Sequence, residues 1–177
     1  MQVNIKRVKK RDFEEIDILL KVAFEGNLVA TLFQELKDTG HYIPELTKVA
    51  RINNQIIGII VYSHAQIIQG KKIHETISLA PMAVLPAYQN LGIGGELIRS
   101  SFAKARELGY QSVIVMGYEG YYPRFGFKQA SEYGIQCSFD VPIENIMALE
   151  LFPDSLSKVK GKIKYHPIFN EMPSFTI

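Results

Sequence analysis

The chain has 177 residues, 47% of them hydrophobic, which is enough for one domain with a sizeable core and too few for two ordinary ones. Its 20 Lys and Arg against 18 Asp and Glu leave a formal net charge of +2, so no large field singles out nucleic acid or a membrane surface as a partner. One cysteine, Cys137, excludes an internal disulfide, no Cys/His spacing suggests a metal, and no apolar run reaches membrane-spanning length. The expected compartment is therefore the cytoplasm. Lys6, Arg7, Lys9, Lys10 and Arg11 are followed by Asp12, Glu14 and Glu15 rather than by an apolar stretch, so no secretory signal is expected there.

Residues 3–8 alternate apolar Val3 and Ile5, and less regularly Val8, with polar neighbours, and predict a short opening strand. Asp12 stands at a helix N-cap position with Glu15 three residues on, ahead of Ile16, Leu19, Leu20, Ala23 and Phe24 at helical spacing. A second helix is expected after Gly26-Asn27, with Leu28, Val29, Leu32, Phe33 and Leu36 on its apolar stripe and Gly40 as its stop. Residues 48–52 predict a strand, Asn53-Asn54 a tight turn, and residues 56–62 the returning arm of a hairpin. A further extended segment, 73–84, is interrupted by Pro81, which lacks a ladder donor. Ile93, Leu97, Ile98, Phe102, Ala105 and Leu108 share one helical face that Gly109 ends.

Residues 112–116 read as a strand buried on both faces, which favours a parallel partner. The aromatic segment 119–127 follows, then two final strands, 135–139 and 145–151, joined through Pro142; residues 153–177 carry no readable motif. No repeat or linker interrupts this order, which is that of one mixed α/β domain over residues 1–177.

The loop Gln89, Asn90, Leu91, Gly92, Ile93, Gly94, Gly95 lies between a predicted strand and the start of a strong helix, where backbone N–H groups have no intrahelical partner. Glycines let that backbone approach a phosphate, and the helix dipole adds a positive end. The plainer reading is a strand-to-helix turn that uses glycine for its dihedrals. Neither a GxxxxGK[ST] run nor a third glycine at dinucleotide-fold spacing is present.

The run Leu79 to Val84, Pro86, and Tyr88 to Gly94 resembles the pantetheine and pyrophosphate motif of the GNAT N-acetyltransferases, whose [QR]xxGx[GA] pattern is filled by Gln89, Gly92 and Gly94. A second block, Tyr121-Tyr122-Pro123-Arg124-Phe125-Gly126-Phe127, resembles the family's FYxRFGF segment, and Pro81-Met82 with residues 133–151 is similar to the YhbS-like subgroup. The resemblance covers residues 1–152. It implies a central, mostly antiparallel sheet splayed between its fourth and fifth strands and flanked by helices, with acetyl-CoA as acetyl donor. It further implies that Met82, Ala83 and Val84 present backbone N–H groups to the pantetheine and that the 89–95 loop holds the pyrophosphate. Tyr122 then corresponds to the family's tyrosine that protonates the departing thiolate, and Phe125 packs beside the coenzyme.

A phenol of ordinary pKa about 10 is a suitable donor to a thiolate of pKa about 8.5. For the general base the family's strand glutamate is missing, because the matching stretch reads Ile77-Ser78-Leu79. Glu75, two residues earlier on the same strand face, is the candidate, with Glu119, His74 and Glu25 as rivals. The function expected is acetyl transfer to a primary amine of an unidentified acceptor by direct attack, in a monomer or homodimer. A non-catalytic module that binds acetyl-CoA or CoA remains open. So does a tRNA- or ribosome-associated acyltransferase, for which the sequence offers the basic stretch Lys6 to Arg11 and the tail residues Lys158, Lys160, Lys162 and Lys164, although alternating lysines also suit a solvated strand face.

Overall fold

The computed structural model describes residues 2–171. In chain order its elements are β1 (Asn4–Arg7), α1 (Phe13–Ala23), α2 (Leu28–Asp38), β2 (Lys48–Ile52), β3 (Gln55–Gln69), β4 (Lys72–Val84), α3 (Ile93–Glu107), β5 (Ser112–Met116), β6 (Lys128–Gln129), β7 (Ile135–Gln136), β8 (Ile146–Glu150) and β9 (Gly161–Lys164). The pairings β1–β2, β2–β3, β3–β9, β5–β8 and β6–β8 are antiparallel, whereas β4–β5 and β7–β9 are parallel. This is the mixed α/β, mostly antiparallel architecture expected. The chain forms two compact units: one runs through Tyr62 and takes in Ala80–Lys104, and the other holds Ser63–Leu79 and the described residues from Ala105 on.

In the first unit, Ile5 lies opposite Ala50 in the β1–β2 ladder. The β2–β3 hairpin turns at Asn53 (φ 47°) and Asn54 (φ 69°), the two consecutive positive φ angles that a two-residue turn matched to strand twist demands. Helix α1 presents Ile16, Leu19 and Leu20, and α2 Ala30 and Phe33, to a core completed by Val49, Ile56, Ile59, Val61 and Ala83. Leu28, expected on the stripe of α2, is 42% exposed, because it is the first residue of the helix and lies at its solvent end.

Asp12 occupies the N-cap position of α1, but its carboxylate makes no cap. Asp12 Oδ2 instead accepts from Lys9 N (2.9 Å) and Oδ1 from Arg51 Nη2 (2.8 Å), while Glu15 Oε1 accepts from Ile56 N at 2.5 Å. The two acids predicted to form a capping box therefore tie α1 to the β2–β3 hairpin. Arg51→Ala leaves Asp12, 4% exposed, with the Lys9 backbone donor and, for a cation, only the exposed Arg11 guanidinium at 3.8 Å. It is expected to lower stability by about 2 kcal/mol, read as a lower urea midpoint at unchanged m-value.

In the second unit the end of β3 and the start of β4 are hydrogen-bonded neighbours joined by a turn at Gly70 (φ 59°). The parallel register sets Ile77, Ser78 and Leu79 against Val113, Ile114 and Val115; β4 then continues to Val84, with a cis peptide bond at Ala80–Pro81. On its other edge β5 pairs along its length with β8, so Val113, Ile114 and Val115 are buried, as their sequence requires.

Several segments differ from expectation. Strand β3 runs on to Gln69, beyond the predicted 56–62, and β7 stops at Gln136, short of 139. Strand β9 forms where no motif was readable: Ile163 is buried opposite Ile67 while Lys162 and Lys164 are exposed, the solvated strand face that alternation allows. Gly161 (φ 132°) permits the approach, since a Cβ there would overlap the Ile68 carbonyl. Residues 172–177 of the 153–177 segment lie outside the described residues.

Candidate functional site

The glycine loop lies in the first unit. Strand β4 ends at Val84, with Ala83 buried in the core and Met82 and Val84 half-buried on the alternate face. Leu85 N donates to Ile57 O (2.9 Å), and a 3₁₀ turn over Pro86–Tyr88 leads out. Gln89 Nε2 donates back to Val84 O at 3.1 Å, so this side chain holds the loop against the strand end.

Asn90 (φ 61°) and Gly92 (φ 80°) take left-handed conformations, and the first bond of α3 is Glu96 N to Gly92 O (3.1 Å). The N–H groups of Ile93, Gly94 and Gly95 precede that bond and have no helical acceptor. Ile93, 2% exposed, anchors the helix with Leu97 and Ile98, while Leu91, 54% exposed, and Asn90 stay at the surface. A Cβ built on Gly92 meets nothing within 4 Å, so open space adjoins the helix end. Three N–H groups without a helical acceptor, a helix dipole and that space fit an anion with several oxygens, such as a diphosphate.

Two supports for this loop carried no sequence signal. Gly58 on β3 lies where a Cβ would be 3.2 Å from Ala83 O, 3.3 Å from Leu97 Cδ1 and 3.4 Å from Val84 Cγ2, so its hydrogen lets the end of β4 and α3 close on β3. Lys48 Nζ donates to Ser100 O, holding α3 from β2, and burial lowers its pKa. Long-range approach of this kind is invisible in a local pattern.

The aromatic block lies in the second unit. Beyond β5, Gly117 N donates to Asn145 O (2.9 Å), and Tyr122–Phe125 form a 3₁₀ turn that Gly126 (φ 97°) ends. Tyr122, 8% exposed, has its ring edge-on to Tyr121 (5.2 Å) and Phe127 (5.6 Å). Burial, and secondarily Tyr121, push its phenol well above the ordinary tyrosine range, so it holds its proton throughout the neutral region. Phe125 packs on Tyr121 at 5.3 Å, and Arg124 lies over the Tyr121 ring (4.8 Å) while donating to Gly120 O (3.2 Å).

Glu75 is not brought to Tyr122. It accepts from Gln66 Nε2 (2.8 Å) and lines an open cavity of about 360 Å³ with His74, Tyr110, Gln111 and Ser112, at the start of β5. Tyr122 packs on Gly117, just past the other end of that five-residue strand. At about 3.3 Å per residue the two are on the order of 15 Å apart, beyond the reach of a proton relay through one water. Among the rivals, Glu119 and Glu25 are exposed and His74 is bonded to Gln69 Oε1 (3.1 Å). Burial raises the Cys137 thiol, which disfavours the thiolate. Among the described residues no group of three or more His, Cys, Asp or Glu could hold a metal, and no helix is long and apolar enough to cross a membrane.

An Acetyltransferase (GNAT) domain model matches residues 39–129, more than half of the chain and the whole of both motifs. The chain belongs to the GNAT acetyltransferase family. This acetyltransferase is 29% identical over 159 residues to the uncharacterised N-acetyltransferase YhbS of Escherichia coli K12, covering 90% of its own length and 93% of the relative's. A crystal structure of E. coli YhbS in complex with CoA superposes with a TM-score of 0.89 at 28% identity over 96% of this chain and 93% of that one. A Brucella melitensis GNAT acetyltransferase in complex with acetyl-CoA gives 0.76 at 28% identity, over 95% and 98%. The GNAT fold expected for this acetyltransferase is thus present.

Proposed function

We propose that this acetyltransferase moves the acetyl group of acetyl-CoA to a primary amine by direct attack, with the start of α3 as its diphosphate cradle and Tyr122 as its acid. The observation that carries the reading is the start of α3, where the first helical bond is Glu96 N to Gly92 O and a Cβ on Gly92 would meet open space. The CoA and acetyl-CoA bound to the E. coli and Brucella relatives support it. When bound, the coenzyme supplies an acetyl group activated as a thioester.

Gln89 fixes the loop through Val84 O, Met82 to Val84 offer main-chain donors for pantetheine, and Phe125 supplies an apolar wall. The amine nitrogen bonds to the carbonyl carbon, the carbon–sulfur bond breaks, Tyr122 gives its phenol proton to the departing sulfur, the proton of the amine leaves to water, and water returns a proton to the Tyr122 oxygen. The attacking amine enters neutral, and no carboxylate is assigned to the transfer of its proton. Glu75→Gln is accordingly expected to keep turnover within about twofold; a loss near the roughly 10²-fold of a missing base would return Glu75 to the reaction. We place the protein in the cytoplasm as a monomer or homodimer.

Calorimetric titration with acetyl-CoA tests the cradle, and thiol release across a panel of primary amines tests the transfer. Binding with amine-dependent release supports the enzyme. Binding with no release for any amine would favour a non-catalytic coenzyme-binding module, and no binding removes the reading.

A further inference from the structure

We propose that Gly117, outside both motifs, is a positioning residue whose missing Cβ sets where the Tyr122 hydroxyl stands; this rests on Tyr122 acting as the acid. A Cβ built at Gly117 would overlap Tyr122 Cε2 and lie 2.9 Å from Cδ2 and 3.1 Å from Cζ. The ring is therefore laid directly on main chain at the end of β5, closer than any residue but glycine allows.

Neither side can yield easily. Gly117 is held by its N–H bond to Asn145 O, next to the Met116–Ile146 pair of the β5–β8 ladder. The ring is backed by Phe127 and Tyr121, and Pro123 restricts the chain that carries it. Gly117 is not among the positive-φ glycines, so alanine suits its backbone, and a substitution there probes the ring contact rather than strain. Restoring ordinary separation moves the ring by about 1 Å, a displacement that can cost about 10²-fold when the group is a proton donor.

The test is a cycle of wild type, Gly117→Ala, Tyr122→Phe and the double variant, with kcat from thiol release and acetyl-CoA affinity from calorimetry. Gly117→Ala is expected to lose about 10²-fold in kcat with affinity within about twofold, and to add no loss in the Tyr122→Phe background, where no proton remains to be aimed. A merely structural glycine would lower kcat by the same factor in both backgrounds, or not at all, and either result overturns the proposal while leaving Tyr122 as the acid. An unimpaired Tyr122→Phe overturns both. If Gly117→Ala does not fold, Gly117→Ala with Phe127→Leu gives the ring room to shift; it is expected to bind acetyl-CoA and show the same kcat loss, and full kcat there overturns the proposal.

Discussion

Tyr122→Phe is expected to lower kcat for acetyl transfer by about 10³-fold, within the range for loss of a general acid, and to leave acetyl-CoA affinity within about twofold. The substitution removes one oxygen and keeps the ring, so the edge contacts with Tyr121 and Phe127 and the seat on Gly117 survive. Binding and folding should hold while the chemical step fails, which separates an acid from a packing aromatic. The pH profile sharpens the distinction. Because burial raises the folded-state pKa of Tyr122, its proton is retained through pH 10 and it produces no falling limb below that value. Rates in both proteins should climb as the acceptor amine loses its proton, and Tyr122→Phe should run parallel and lower.

The same shift has a stability consequence with a definite sign. An unfolded tyrosine ionises near about pH 10, whereas the folded Tyr122 does so higher, so its contribution is intact below pH 10 and is lost as pH rises through the folded value. Tyr165, raised well above the ordinary value by burial and then by Cys137, acts in the same direction, so rates above pH 10 need a stability control. Kinetics between pH 6 and 9.5, with kcat equal to wild type, would sink the acid assignment.

What was legible in the sequence was what a short stretch of chain determines by itself. The glycine loop and the helix behind it announce each other within residues 89–109, and the hairpin at Asn53-Asn54 is fixed by two side chains that tolerate positive φ. The places where expectation failed depend on partners far along the chain. Asp12 and Glu15 have capping-box spacing, yet Arg51 and Ile56 N compete for their oxygens and win, because a cation at 2.8 Å and a strand donor outweigh a helix end open to water. Strand β9 is short and alternates lysine with little apolar content, so its existence rests on β3 and β7 being there to receive it. Glu75 is a different case: its bond to Gln66 and the cavity it lines at the start of β5 depend on other strands, and parity along one strand says nothing of either. Gly58 looks like an unremarked strand glycine, and Gly117 like the first residue of a loop, until the atoms opposite them are known.

Gly94→Val is expected to weaken acetyl-CoA binding about 100-fold, close to the loss of one or two hydrogen bonds to a charged group at roughly 1.5–3 kcal/mol each. Gly94 is a better probe than Gly92, where φ of 80° would charge any side chain with backbone strain before a ligand was considered. Gly94 is the second residue of α3, half-buried and without a positive φ, and a helical side chain leans toward the N-terminus, where phosphate oxygens must come within hydrogen-bond distance of N–H donors. The free protein should be no less stable, since glycine is a poorer helix former than valine by roughly 0.3 kcal/mol. Affinity and stability therefore move independently or in opposite directions, an outcome that misfolding cannot mimic. Gly94→Ala should fall between wild type and valine, because its single methyl covers less of the helix end. Calorimetry at fixed ionic strength reads the affinities, and thermal melts of the free protein read the stabilities. An unchanged Kd for Gly94→Val, with the fold intact, would mean that the diphosphate is held by other groups than the first turn of α3.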